Sequence, residues 1–161
     1  MSINWIYKDD RKVFSNVERG GVPYLSFKAL EDTGMVVNGF STRLGGASKG
    51  RFATMNFSYS RKDDPVDVLE NFTRMADALG VERDRMVVSY QTHTTNVRRV
   101  TREDEGKGVI RERDYKDVDG LITDIPGITL VTFFADCVPL YFLDPVHRAI
   151  GLSHSGWRGT V

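Results

Sequence analysis

Apolar positions recur at helical spacing in one stretch of the chain. Val66, Leu69, Phe72, Ala76 and Leu79 lie three or four residues apart, which puts them along one side of an α-helix. Asp64 stands where an N-cap is needed. Pro65 suits the first helical position, whose N–H has no helical partner, and Gly80 ends the run. The pattern predicts a helix over Pro65–Leu79. Elsewhere the apolar residues come in short runs rich in β-branched and aromatic side chains. These predict strands over residues 36–41, 85–90, 97–100, 120–123, 129–134, 139–143 and 149–153. Residues 42–48 read as a loop by their glycines. Residues 101–118, dense in both charge signs and holding two glycines, read as a solvated excursion, and residues 156–161 as a helix entry. The sum is a mixed α/β (α+β) fold in one domain over residues 1–161, built around an extensive sheet. A single amphipathic helix does not cover five or six strands, so exposed apolar strand area is expected, or a second chain or partner copy to cover it.

Composition narrows the function classes. The 161 residues suffice for a hydrophobic core, and 40% hydrophobic with 27% charged residues is ordinary for a globular protein. Lys plus Arg equal Asp plus Glu at 22 each, so no basic surplus supports nucleic-acid binding. The one cysteine, Cys137, precludes an intrachain disulfide. No signal-peptide pattern opens the sequence. The most apolar region, residues 128–143, is interrupted by Asp136 and Pro139 and is too short to span a bilayer. A cytoplasmic location without membrane association is the expectation.

The same cysteine is the first candidate for chemistry. Asp144-Pro145-Val146-His147 reads as a hairpin turn. Centred on Pro145 and Val146, it places Cys137 opposite His154, with Cβ atoms about 4.5–5.5 Å apart. His93 ends a separate strand-like run and approaches from the side. A thiolate and two imidazoles suit zinc. Three protein ligands leave a fourth position open, the mark of a catalytic rather than a structural site. Copper accepts the same donors. The proximity equally suits a thiol hydrolase with Cys137 as nucleophile and His154 as base, and an inactive nucleoside-binding module is the non-enzymatic alternative. Asp136 is the nearest candidate for a general base, and His147, in the turn, is given no role. A second candidate is the loop Ser41-Thr42-Arg43-Leu44-Gly45-Gly46: glycine N–H groups approach anions closely and Arg43 can clamp one. Arg158 in Ser155-Gly156-Trp157-Arg158-Gly159 has similar surroundings, with Trp157 expected in the core.

Five segments in this order resemble a known family: Gly39-Phe40-Ser41-Thr42-Arg43-Leu44-Gly45-Gly46-Ala47-Ser48, Gln91-Thr92-His93, Asp119-Gly120-Leu121-Ile122-Thr123, Ala135-Asp136-Cys137-Val138-Pro139-Leu140 and His154-Ser155-Gly156-Trp157-Arg158-Gly159. It is the YfiH-like family, also called the laccase-domain or multicopper polyphenol oxidase family, some of whose members are labelled peptidoglycan editing factors. The resemblance runs from about Val37 onward. It implies a layered α/β fold related to that of deamidating toxins, and zinc on His93, Cys137 and His154. It further implies phosphorolysis of purine nucleosides (inosine, adenosine, guanosine, methylthioadenosine), with adenosine deamination also attributed to the family and copper-dependent polyphenol oxidation surviving in its name. Purine nucleoside and phosphate are the implied partners, with Arg43, Ser41, Gly45, Gly46 and Arg158 as phosphate or substrate contacts. The sequence departs from the family pattern at Asn38, where His is common, and at Thr94, where Gly is usual. Family members also continue beyond the position of Val161, so an incomplete family fold is expected.

Overall fold

A computed structural model describes Ile6, Lys8 and residues 10–160. The chain divides into two compact units, Met1–Gly80 and Val81–Val161. In the first unit, strands β1 (Phe14–Arg19) and β2 (Val22–Phe27) form an antiparallel hairpin. Its turn is Gly20-Gly21, with φ of 57° and 77°, the left-handed conformation that a two-residue hairpin turn requires and that glycine adopts freely. The strand predictions omit this hairpin, because Ser26 occupies an inward position while the apolar Leu25 and Phe27 lie on the other face. The short helix α1 (Lys28–Glu31) follows, and β3 (Phe40–Ser41) adds a third strand beside β2. β3 is shorter than the predicted strand over residues 36–41.

Helix α2 spans Pro65–Leu79 as its end signals require. The Asp64 carboxylate accepts the Val66 N–H at 2.9 Å, and Gly80 closes the helix at φ 72°. Its buried face differs from the predicted one: Val68, Asn71, Phe72, Met75, Ala76 and Ala78 point inward, while Val66 is 73% exposed. The face turns because a polar residue belongs to it. Asn71 is fully buried and accepts the Ala47 N–H at 2.6 Å. Its amide donates to Ser48 Oγ at 2.8 Å and to the Asn56 carbonyl at 2.7 Å. Asn71→Ala is expected to destabilise the chain by about 2 kcal/mol, because it orphans buried polar groups. Chemical denaturation measures this.

The second unit contains β4 (Met86–Val88), β5 (Val97–Arg99), β6 (Gly120–Thr123), β7 (Thr129–Val131), β8 (Val138–Asp144), β9 (Ala149–Ser155) and the four-residue helix α3 (Trp157–Thr160). β4 and β7 pair in parallel. The other four form a mixed sheet in the order β5-β6-β9-β8. One face of that sheet packs Leu121 and Leu152 into a core with Val87, Val100, Tyr115, Val118, Ile128 and Leu130. On the other face Val97, Ile122, Val138, Leu140 and Phe142 are exposed, the open apolar strand area that helix content leads one to expect.

Residues 101–118 are not a solvated excursion. Val109, Tyr115 and Val118 are buried, and so are Asp104 and Lys107, 2% and 8% exposed. Lys107 Nζ donates to Asp104 at 2.8 Å and to Asp114 at 2.8 Å, and Arg98 donates to Asp104 at 2.8 Å. Asp104 and Lys107 neutralise each other inside the unit while most other charges of the segment stay exposed, an arrangement that charge density alone does not separate from a solvated face.

Candidate metal centre

The β8–β9 hairpin differs from its predicted register in an instructive way. The turn takes four residues, 145–148, closed by Arg148 at φ 53°. The Asp144 carboxylate accepts the N–H groups of Val146 and His147 at 2.9 and 3.0 Å. Pro139, not Cys137, therefore lies opposite His154. The slip is two residues, which preserves the face. Cys137 sits on a bend immediately before β8, and His93 on a bend between β4 and β5.

The three side chains nevertheless converge. One ligand atom each from His93, Cys137 and His154 falls within 4.8 Å of the others. Cys137 Sγ lies 3.7 Å from His93 Nε2. The two imidazoles meet edge to face, centroids 4.6 Å apart, and Phe134 flanks His154 at 5.9 Å. His154 is buried, His93 is exposed and Cys137 is half-buried, which leaves the site open on the His93 side. Gly156 lines it closely: a Cβ there would stand 2.9 Å from the His93 ring and 3.9 Å from Cys137 Sγ. Burial pushes the Cys137 thiol up. The Asp136 carboxylate, 3.8 Å from the sulfur, adds to this by its charge and by accepting the S–H. A neutral thiol is a poor nucleophile, whereas a divalent cation among these donors would favour the thiolate. The donor set fits a metal ion.

Two polar residues for which sequence reasoning had no role hold the site together. The Asp119 carboxylate accepts the N–H groups of Thr92, His93 and Thr94 at 2.9, 2.9 and 3.0 Å and faces His154 Nδ1 at 2.8 Å. Burial alone raises its pKa. The Thr94 and Thr92 N–H groups, the His154 ring and the His93 N–H outweigh that and hold it below the usual carboxylate range. The Gln91 amide brackets Phe133, donating to its carbonyl at 2.6 Å and accepting its N–H at 2.8 Å. Both residues lie in motifs that carry the family resemblance, the one signal that marked them.

The glycine loop of the first unit is occupied by its own chain. Gly46 N–H donates to Thr54 Oγ1 at 3.1 Å and Leu44 N–H to Thr42 Oγ1 at 3.2 Å. A Cβ on Gly46 would lie 2.0 Å from the Thr54 carbonyl oxygen, and one on Gly45 2.5 Å from that of Gly21. Close packing explains both glycines, and the Gly46 N–H is not directed at an anion as its sequence context suggests. Ser41 ends β3, and the Arg43 guanidinium is exposed, 3.4 Å from the Ala53 carbonyl. Trp157 is 72% exposed instead of in the core, since α3 buries none of its residues. Arg158, also exposed, lies over the Trp157 ring at 5.3 Å.

Residues 37–161 match the family described as multi-copper polyphenol oxidoreductase laccase. The chain belongs to this family. It is 42% identical over 129 residues to a purine nucleoside phosphorylase, YlmD, of Geobacillus stearothermophilus, covering 78% of this chain and 46% of that protein. It is 36% identical over 128 residues to the mouse purine nucleoside phosphorylase LACC1, covering 78% of this chain and 27% of that one. The solved structure of the Bacillus licheniformis protein YfiH superposes with a TM-score of 0.81 at 34% identity, over 93% of this chain and 54% of that chain. The crystal structure of YlmD from Geobacillus stearothermophilus does so at 0.78 and 38% identity. The family fold expected from the motifs is the one observed, and the chain spans about half the length of its bacterial relatives.

Proposed function

We propose that the chain carries the metal-holding part of a zinc-dependent purine nucleoside phosphorylase. The observation that supports this most directly is the convergence of two imidazoles and one thiol within 4.8 Å, in a family whose relatives are named for that reaction. His93, Cys137 and His154 would hold the ion, which when bound supplies Lewis acidity toward the nucleoside or a water. Phosphate attacks C1′ of the ribose as the glycosidic C–N bond breaks, and the products are the free purine and ribose 1-phosphate. Gly156, without a Cβ, lets the backbone pack directly against the His93 ring. Asp136, next to the sulfur, is placed to hold or pass a proton at the site. Phosphate binding is assigned to Arg158, whose planar donors suit an anion with several oxygens; within the first unit the exposed Arg43 guanidinium, with Ser41, is a separate candidate for an anion contact. Adenosine deamination is a second reaction open to the same donor set.

Elemental analysis of the chain prepared without chelator should return about one zinc per chain. Copper with an intense sulfur-to-metal absorption would favour the oxidase reading that the family description carries. With inosine or adenosine as substrate, base release should depend on phosphate and yield ribose 1-phosphate, and Arg158→Ala should raise the phosphate KM more than the nucleoside KM. Base release without phosphate, or inosine formed from adenosine with no free base, would replace phosphorolysis by hydrolysis or deamination.

A further inference from the structure

We infer that Asp119 is the positioning residue that sets both histidine ligands at once, one through its ring and the other through its backbone. The inference deepens the metal-site reading above and rests on it. Asp119 immediately precedes β6, is 2% exposed and has every acceptor site directed at a donor. Oδ1 takes the His93 N–H and lies 2.8 Å from His154 Nδ1, and Oδ2 takes the N–H groups of Thr92 and Thr94. An ionised carboxylate has about four lone-pair positions, so this one is filled and takes no part as ligand or base.

The effect on each histidine has a separate physical cause. A neutral imidazole carries one proton, on either nitrogen. A carboxylate acceptor at Nδ1 fixes it there and leaves the Nε2 lone pair of His154 for the metal. The opposite tautomer would point an N–H at the ion. His93 is held differently: its φ is 64°, a left-handed conformation that a residue with a side chain adopts only when its surroundings compensate. The compensation is the row of three successive N–H groups, Thr92 to Thr94, closing around one carboxylate as a backbone nest closes around an anion. With the nest intact, His93 Nε2 stands 3.7 Å from Cys137 Sγ. Without it the bend at residues 92–93 has no reason to keep that φ.

The test combines a readout on the unaltered chain with two variants. Two-bond 1H–15N correlation on the metal-free wild-type chain should show the His154 proton on Nδ1. Asp119→Asn keeps the shape but replaces one acceptor oxygen with a donor, so two of the four N–H groups face an NH2. Its zinc affinity, read by competition with a chromophoric chelator, should fall roughly 10- to 100-fold. Asp117→Asn is the matched control: Asp117 accepts the Thr92 hydroxyl at 2.9 Å in the same bend but touches neither histidine, and its zinc affinity should stay within about twofold. A His154 proton on Nε2 in the wild-type chain would overturn the proposal even if Asp119→Asn failed to fold. So would a folded Asp119→Asn with wild-type zinc affinity, or equal losses in the two variants. A wild-type chain that binds neither zinc nor copper, yet shows the Nδ1–H tautomer, would remove the metal reading and leave the hold of Asp119 on His154 standing.

Discussion

Replacing Cys137 with alanine is expected to lower zinc affinity roughly 100- to 1000-fold and to abolish activity with it. Apparent zinc binding in four-ligand sites is worth about 10–16 kcal/mol, so one ligand accounts for about 3–4 kcal/mol. Cys137 is also the one anionic donor of the three. The residue is only half-buried and sits on a bend before β8, so the fold should survive and thermal unfolding of the metal-free variant should match wild type within a few degrees. The same site predicts a pH dependence. Burial and the Asp136 carboxylate push the Cys137 thiol up, so near neutral pH the metal-free site holds a protonated sulfur. Metal binding must then release that proton, and apparent zinc affinity should rise about tenfold per pH unit while the free thiol stays protonated. Chelator titrations at several pH values measure the slope. A flat profile, or Cys137→Ala retaining metal and turnover, would remove the sulfur from the ligand set. Full activity in excess chelator, lost in Cys137→Ala, would point to the thiol hydrolase.

Removing the Asp104 carboxylate is expected to destabilise the second unit by about 3 kcal/mol, the lower end for breaking a buried ion pair. The lower end applies because Arg98, one of its partners, is itself 33% exposed. Asp104→Ala leaves Lys107, whose side chain is 10% exposed, with the more exposed Asp114 as its remaining acid. It also removes the acceptor for the Thr101 N–H at 2.9 Å. The interaction carries its own pH signature. Burial alone raises the pKa of Asp104. Hydrogen bonds from Lys107, from the Thr101 backbone and from Arg98 outweigh burial and bring it from the ordinary 3.8 to about 2. A carboxyl depressed in the folded state contributes stability above its unfolded value and loses it as pH falls through the folded one. About 2 kcal/mol should therefore disappear between pH 4 and pH 2. Urea denaturation of wild type and Asp104→Ala should show a difference that shrinks over that window. A constant difference would mean that the residue acts through packing rather than charge.

The features legible in the sequence are those decided by neighbours along the chain. Helix α2 begins and ends where predicted because Asp64, Pro65 and Gly80 act within one turn of its ends. Seven of the strands, β3 to β9, follow from short apolar runs for a similarly local reason. The three side chains that converge, His93, Cys137 and His154, were legible as candidates too, since one cysteine and two histidines in family motifs leave few other choices of soft donor. Tertiary structure decided whatever depends on how distant polar groups satisfy one another. A turn of four residues rather than two moved Pro139 opposite His154. Asn71 turned the inward face of α2 because three partners far off in sequence need its amide. Asp104 and Lys107, out of a segment whose other charges stay at the surface, entered the interior because they and Arg98 neutralise one another there. Asp119 reached His93 and His154 across 26 and 35 residues. No spacing rule reports such a contact, because a buried carboxylate is stable only where the completed fold brings four donors to it.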